Sequence, residues 1–136
     1  MSTLSKQELR IIDANLNRFK EGIRVVEDIF RYAYNNKPLA SELKTLRHTA
    51  KLPSLYTQLL DSRDAIKDVL KPSTASEMSR SSLNDSVIAN FKRAQEAARV
   101  LEEMLKSVDG SEAQNFKNAR YALYTLEKEA AELPTS

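Results

Sequence analysis

The chain has no cysteine and no tryptophan, a single histidine, two glycines and four prolines in 136 residues. Without cysteine there are no disulfides and no thiolate metal site, and a cytoplasmic location is compatible. With one histidine, His48, neither a histidine metal cluster nor a Ser-His-Asp triad has its parts. Two glycines supply few turns, so a strand-rich fold is poorly served and a helical bundle leads. No Gly-rich phosphate loop or dinucleotide fingerprint occurs, so any bound phosphate must be held by side chains and helix N-termini. No apolar run approaches a membrane span and MSTLSKQELR lacks the core of a signal peptide. The net charge of +2 is spread over interleaved signs, which leaves no stripe for nucleic acid and no polybasic membrane patch.

What the chain does have is an internal repeat. IIDANLNRFKEGIRVVED, residues 11–28, recurs as SVIANFKRAQEAARVLEE, residues 86–103. A shift of 75 positions aligns Ala14/Ala89, Asn15/Asn90, Arg18/Arg93, Glu21/Glu96, Arg24/Arg99, Val25/Val100 and Glu27/Glu102. Most of these identities are polar, while apolar partners change size (Phe19 against Ala94, Ile23 against Ala98). Lys44-x-x-Arg47 returns as Lys117-x-x-Arg120 at an offset of 73.

The apolar stepping predicts the elements. Ser5-x-x-Glu8 opens a helix whose stripe is Ile12, Leu16, Phe19, Ile23, Val26, Phe30 and Ala33, fading at Asn35-Asn36. Pro38 starts a second helix through Leu39, Leu43 and Leu46, stopped or kinked at Pro53. A short helix runs through Leu55, Leu59 and Leu60. Ser82-x-x-Asp85 opens the repeat helix, Asp109-Gly110 is read as its stop, and Ser111-x-x-Gln114 as the cap of the last helix. The expected fold is all-α: one domain over 1–136, a four-helix bundle of two pseudo-twofold-related helical hairpins (about 5–60 and 83–133) joined by a long charged loop, 61–82. That loop collects Arg63, Asp64, Lys67, Asp68, Lys71 and Arg80, and loops of such length are usually functional or disordered.

On a helical wheel Arg18 shares a row with Ile11, Val25 and Ile29, and Arg93 with Val100 and Met104. A guanidinium in such a row is costly unless it is paired or faces an anion. The plainer alternative is a pair of i,i+3 ion pairs, Arg18 with Glu21 and Arg93 with Glu96, on a solvated flank. The recurring Asn-x-x-Arg-x-x-Glu line offers an amide, an anion clamp and a carboxylate, the parts of a phosphate site. Glu102-Glu103 and the Glu127-Lys128-Glu129 run read as solvated faces, and Tyr121 and Tyr124 as partly buried packing residues, one of which could stack on a heterocycle.

DANLNRFKEGIRVVED, LKTLRH, SRDAIKDV, ANFKRAQEAARVLEE and NARYALY together resemble the small all-helical hydroxymethylpyrimidine-phosphate kinase family of thiamine biosynthesis, which occurs alone or fused to a thiamine-phosphate synthase barrel. With no barrel after Ser136, the stand-alone form is expected. The resemblance implies phosphorylation of 4-amino-2-methyl-5-hydroxymethylpyrimidine phosphate to the diphosphate, with ATP and magnesium. It matches the family's segments at Asn15, Arg18, Glu21, Asn90, Arg93 and Glu96, and its Arg-His and Arg-Tyr pairs at Arg47-His48 and Arg120-Tyr121. In the loop Arg63-Asp64 and Asp68-Val69 match, but Lys67 and Leu70 replace two glycines, leaving Lys67 or Lys71 to substitute for a backbone cradle.

The roles inferred on that basis are catalysis by Arg18, Arg93, Arg63 and Asp64, and phosphate binding by Asn15, Asn90, Arg47, Arg120, Lys67 and Arg80. Tyr121 and His48 would contact the base, and Glu21, Glu96 and Asp68 a magnesium ion. The rivals are a non-catalytic module docking onto a thiamine-phosphate synthase and a mutase of the chorismate type. A docking module should show a continuous exposed apolar face, whereas the polar line here interrupts the most suitable one. Expected partners are substrate and nucleotide, with a homodimer and an association with a thiamine-phosphate synthase left open, and neither nucleic acid nor membrane.

Overall fold

A computed structural model describes residues 4–73, 80 and 82–133; positions 74–79 and 81 of the expected loop lie outside the described residues. There is no strand among the described residues, and the fold is the expected all-helical bundle. Helix α1 is Lys6–Asp28, α2 Lys37–His48, α3 Tyr56–Ser62, α4 Leu83–Leu105 and α5 Gly110–Ala131. The long repeat helices α1 and α4 form the most extensive interface. α2 and α3 pack on α1, α5 packs on α4, and α2 meets α5 only lightly.

The helix starts follow from their caps. The Ser5 hydroxyl accepts from the Glu8 amide at 3.0 Å while the Glu8 carboxylate accepts from the Ser5 amide at 3.0 Å, so two orphan donors are satisfied reciprocally. Ser82 caps α4 by accepting from the Asp85 amide at 3.1 Å. The expected stop at Asp109-Gly110 and cap at Ser111 are corrected. Asp109 is the N-cap of α5, its Oδ1 accepting from the Glu112 amide at 3.1 Å, and Gly110 is already helical. The physical reason is that Asp-x-x-Glu is itself a strong helix-start signal, which outweighs the glycine that follows.

The core is the predicted stripe apart from Ala33, which is exposed. Ile12, Phe19, Ile23 and Val26 of α1 meet Phe91, Ala94, Ala98, Leu101 and Leu105 of α4, and Leu43, Phe116 and Leu123 close the bundle. Phe19 and Phe116 pack edge to face with centroids 5.6 Å apart. The changes in apolar size between repeats are therefore compensated across a shared core. At Gly22 α1 and α4 approach closely: a β-carbon there would stand 2.9 Å from the Asn90 carbonyl oxygen.

One feature breaks the twofold repeat. α1 does not stop at Asp28 but widens into a π-helical turn, Ile29–Ala33, in which the Tyr34 amide donates to the Ile29 carbonyl at 3.1 Å. Asn35 then turns back with φ 51° and Asn36 caps α2. In the second hairpin Asp109 caps α5 directly, with no such turn. No described helix is long and apolar enough to cross a membrane.

Candidate functional site

The repeated arginines fall into two groups with different surroundings. Arg47, near the end of α2, clamps Glu27 of α1 with two hydrogen bonds, 2.7 Å from Nε to Oε1 and 3.2 Å from Nη2 to Oε2. Arg120 of α5 does the same to Glu102 of α4, at 2.6 and 3.0 Å. Both carboxylates are almost wholly buried, and both guanidiniums are largely covered. Each hairpin is thus pinned by the same bidentate pair, a geometry that fits arginine better than lysine. The carboxylate partners push both guanidinium pKa values up, so these cations stay charged wherever the protein is folded. Arg120 also lies 5.0 Å over the Tyr121 ring, and Tyr121 meets Tyr124 edge to face.

This places two expected phosphate ligands, Arg47 and Arg120, inside the scaffold, with their donors directed at protein carboxylates. It also corrects the reading of Glu102 as a solvated face, because only Glu103 is exposed there. Glu127 is tied to Gln95 at 2.9 Å and to Lys92 at 3.1 Å. The clamping roles of Glu27, Glu102 and Asp13 were missed from the sequence. The available signal was that Glu27/Glu102 and Arg47/Arg120 recur together with opposite sign.

Arg18 and Arg93 behave differently. Both are exposed, and neither makes an ion pair or hydrogen bond among the described residues. Glu21 and Glu96 are likewise exposed and unpaired, so the i,i+3 ion pairs do not form. The close approach at Gly22 sets the α4 turn 90–94, which carries Arg93, against α1 one turn beyond Arg18. Asn15 and Asn90 turn their amides back along their own helices, donating to the Ile11 and Ser86 carbonyls at 2.9 and 2.8 Å.

In the connecting segment Arg63 clamps Asp13 of α1 with two bonds of 2.8 Å, and that carboxylate raises the Arg63 pKa. The Asp64 carboxylate accepts from the Lys67 amide and the Asp68 carboxylate from the Leu70 amide, each at 3.0 Å, so both hold turns. Lys67 and Arg80 are exposed, as is His48 at the end of α2. Among the described residues no three His, Cys, Asp or Glu side chains gather where they could hold a metal, and Glu21, Glu96 and Asp68 are not brought together as one. The expected site residues are therefore spread over α1 and α4, two hairpin clamps and the segment after α3, rather than converging on one crevice.

That segment has its own character. Ile66, Val69 and Leu70 are 85, 90 and 83% exposed, on a stretch anchored by Arg63 and shaped by Asp64 and Asp68. Arg63→Ala is expected to raise proteolytic cleavage within 63–73 several-fold and also to lower Tm, because Arg63 is half exposed but its removal strands the buried Asp13 carboxylate. Limited proteolysis beside a thermal melt checks this. Unchanged cleavage would show that Arg63 does not hold the segment.

The molecule is thus a two-hairpin, all-helical bundle pinned by paired carboxylate–arginine clamps. The chain belongs to the ThiD2 family, whose model matches residues 10–129. It is similar to the thiamine-phosphate synthase of Thermosynechococcus vestitus, 41% identical over 88% of this chain and 34% of that protein. Thiamine-phosphate synthases of Nostoc punctiforme (42%, covering 87% of this chain and 34% of the relative) and Gloeobacter violaceus (43%, 90% and 36%) are similar too. The chain thus spans about a third of the length of these curated relatives. No solved structure matches significantly.

These relatives overturn the kinase expectation. Proteins some 40% identical over most of the chain carry the name of a synthase, a different reaction from ATP-dependent phosphorylation, and ATP and magnesium fall with it as cofactors. The link of the recognised motifs to thiamine biosynthesis stands; the phosphotransfer attached to them does not.

Proposed function

We propose that this chain serves thiamine phosphate synthesis as a non-catalytic helical module that works against the catalytic part of a thiamine-phosphate synthase. The observation that carries this reading is the match of nearly the whole chain to about a third of such enzymes, in which it shares a polypeptide with the remaining two thirds. The chemistry of the bundle agrees. Its repeated charges Glu27, Arg47, Glu102 and Arg120 are engaged in holding helices together, as in a scaffold.

The docking surface is the segment after α3. Ile66, Val69 and Leu70 stand almost fully in water on an anchored stretch, a local arrangement that costs free energy unless something covers it. Covering three such side chains would contribute several kcal/mol, at about 1.5–3 kcal/mol each. Arg18 and Arg93, free of protein carboxylates on α1 and α4, remain available as a clamp for an anionic group presented by the complex.

Sedimentation velocity of this chain mixed with the Thermosynechococcus enzyme lacking its matching third tests the docking. A one-to-one complex is expected, lost when Ile66, Val69 and Leu70 are all changed to Asp. Independent sedimentation of the two parts, or a complex indifferent to the triple change, would sink the reading.

A further inference from the structure

The π turn that breaks the repeat opens a cavity of about 340 Å³ between the end of α1 and the start of α2. Its lining includes Arg31, Lys37 and Lys44, together with Asn35 and the buried Glu27. Glu27 is already neutralised by two bonds from Arg47, so it offsets little of the remaining charge. None of the three cations makes an ion pair among the described residues; Arg31 only overlies the exposed Tyr32 ring at 4.9 Å.

The second hairpin provides an internal comparison. At the offset of the long helices Arg31 corresponds to Lys106, which is bound by Glu103 at 3.0 Å, and Glu103 also holds Arg99. In the first hairpin the corresponding carboxylate, Asp28, contacts Arg24 instead, and the π turn carries Arg31 away from it. The clamped residues are twenty positions apart in the first hairpin and eighteen in the second, so the first spends two extra residues on this turn. Those residues include Asn35, which takes the left-handed position of the turn with φ 51°, a conformation that asparagine adopts more readily than most residues. Three like charges gathered round one cavity, with no carboxylate paired to them among the described residues, repel one another. A ligand of opposite charge would compensate that repulsion.

We infer that this cavity binds a phosphate group, as a phosphate ester or a diphosphate, through Arg31, Lys37 and Lys44. Arg31 offers a planar fork to two oxygens, and the two ammonium groups neutralise the rest of the charge. This assignment does not rest on the docking reading. It concerns the first hairpin alone, and the Ile66, Val69 and Leu70 changes leave it untouched.

The test is calorimetric titration of the intact chain with inorganic pyrophosphate and, separately, inorganic phosphate, at low and high salt. Saturable binding that weakens with salt is expected. Kd should rise about tenfold for each of Arg31→Ala, Lys37→Ala and Lys44→Ala. Lys117→Ala and Lys106→Ala, the counterparts in the second hairpin, should leave Kd unchanged. Preference for pyrophosphate would identify a diphosphate site, and equal affinity a monophosphate site. No saturation at millimolar concentration of either anion overturns the inference, as does equal weakening by the control variants. All five substituted positions are exposed, and circular dichroism confirms that each variant is folded.

Discussion

Glu27→Ala is expected to destabilise the bundle by about 3–5 kcal/mol, lowering Tm by roughly 10–15 °C. The carboxylate side chain is 2% exposed and the Arg47 guanidinium 16%, so removing the acid strands a covered cation that water cannot properly solvate. The loss comes mainly from that stranded charge rather than from the pair's own net contribution. Glu27→Leu combined with Arg47→Met should therefore recover most of the stability, because a buried pair replaced by apolar residues of similar volume is often neutral or better. Glu102→Ala should behave alike in the second hairpin, with Arg120 keeping some compensation from the Tyr121 and Tyr124 rings. Urea denaturation of the singles and the double measures all of this. A Glu27→Ala protein within about 1 kcal/mol of the parent would mean that the clamp does not hold the hairpin.

Gly22→Leu should cost about 3 kcal/mol, at the upper end of ordinary overpacking. A β-carbon at this position would lie 2.9 Å from the Asn90 carbonyl oxygen and 3.3 Å from both the nitrogen and the β-carbon of Ala94. The Asn90 oxygen belongs to the backbone of a 23-residue helix, so relief requires moving α1 away from α4 along the main interface of the fold. Gly22→Ala brings the same β-carbon contact but gains about 1 kcal/mol of helix propensity, so its net loss should be near 1 kcal/mol. The second repeat has Ala97 at the equivalent position, buried and accommodated, which shows that the two helices are not interchangeable at their crossing. Thermal melts of the two variants should rank Leu well below Ala and Ala below the parent. Equal stability of all three would show that the helices have room to separate.

The bundle was readable because its helices are regular. The 4,3 stepping of Ile12 to Phe30 and Val87 to Leu105 leaves one face for a core, and Ser5 and Ser82 mark their starts by side-chain chemistry written in the sequence. The π turn was not readable, because nothing local in IFRYAYNNK separates an α-helix that frays from one that widens by a residue. Asp109 was misassigned for a related reason, since Asp-Gly is compatible with an ending or a beginning, and only the 3.1 Å bond to the Glu112 amide decides.

Charge repetition misled in a more instructive way. Glu27/Glu102 and Arg47/Arg120 recur because each hairpin needs its own clamp, yet in a sequence a charge kept for a partner helix looks the same as one kept for a ligand. The clue lay in the complementary signs of the two recurring pairs. Arg18 and Arg93, with Glu21 and Glu96 three residues on, also recur with opposite signs, yet among the described residues all four are left exposed and unpaired. Arg31, Lys37 and Lys44 escaped notice because their grouping depends on the π turn, which the sequence did not announce.

Formation of thiamine phosphate, followed in parallel reactions, tests the modular role most directly. The chain alone should form none, and its addition to the Thermosynechococcus enzyme lacking the matching third should raise the yield of that truncated enzyme. Synthesis of thiamine phosphate by this chain alone, or a truncated enzyme unaffected by its addition, would contradict the account.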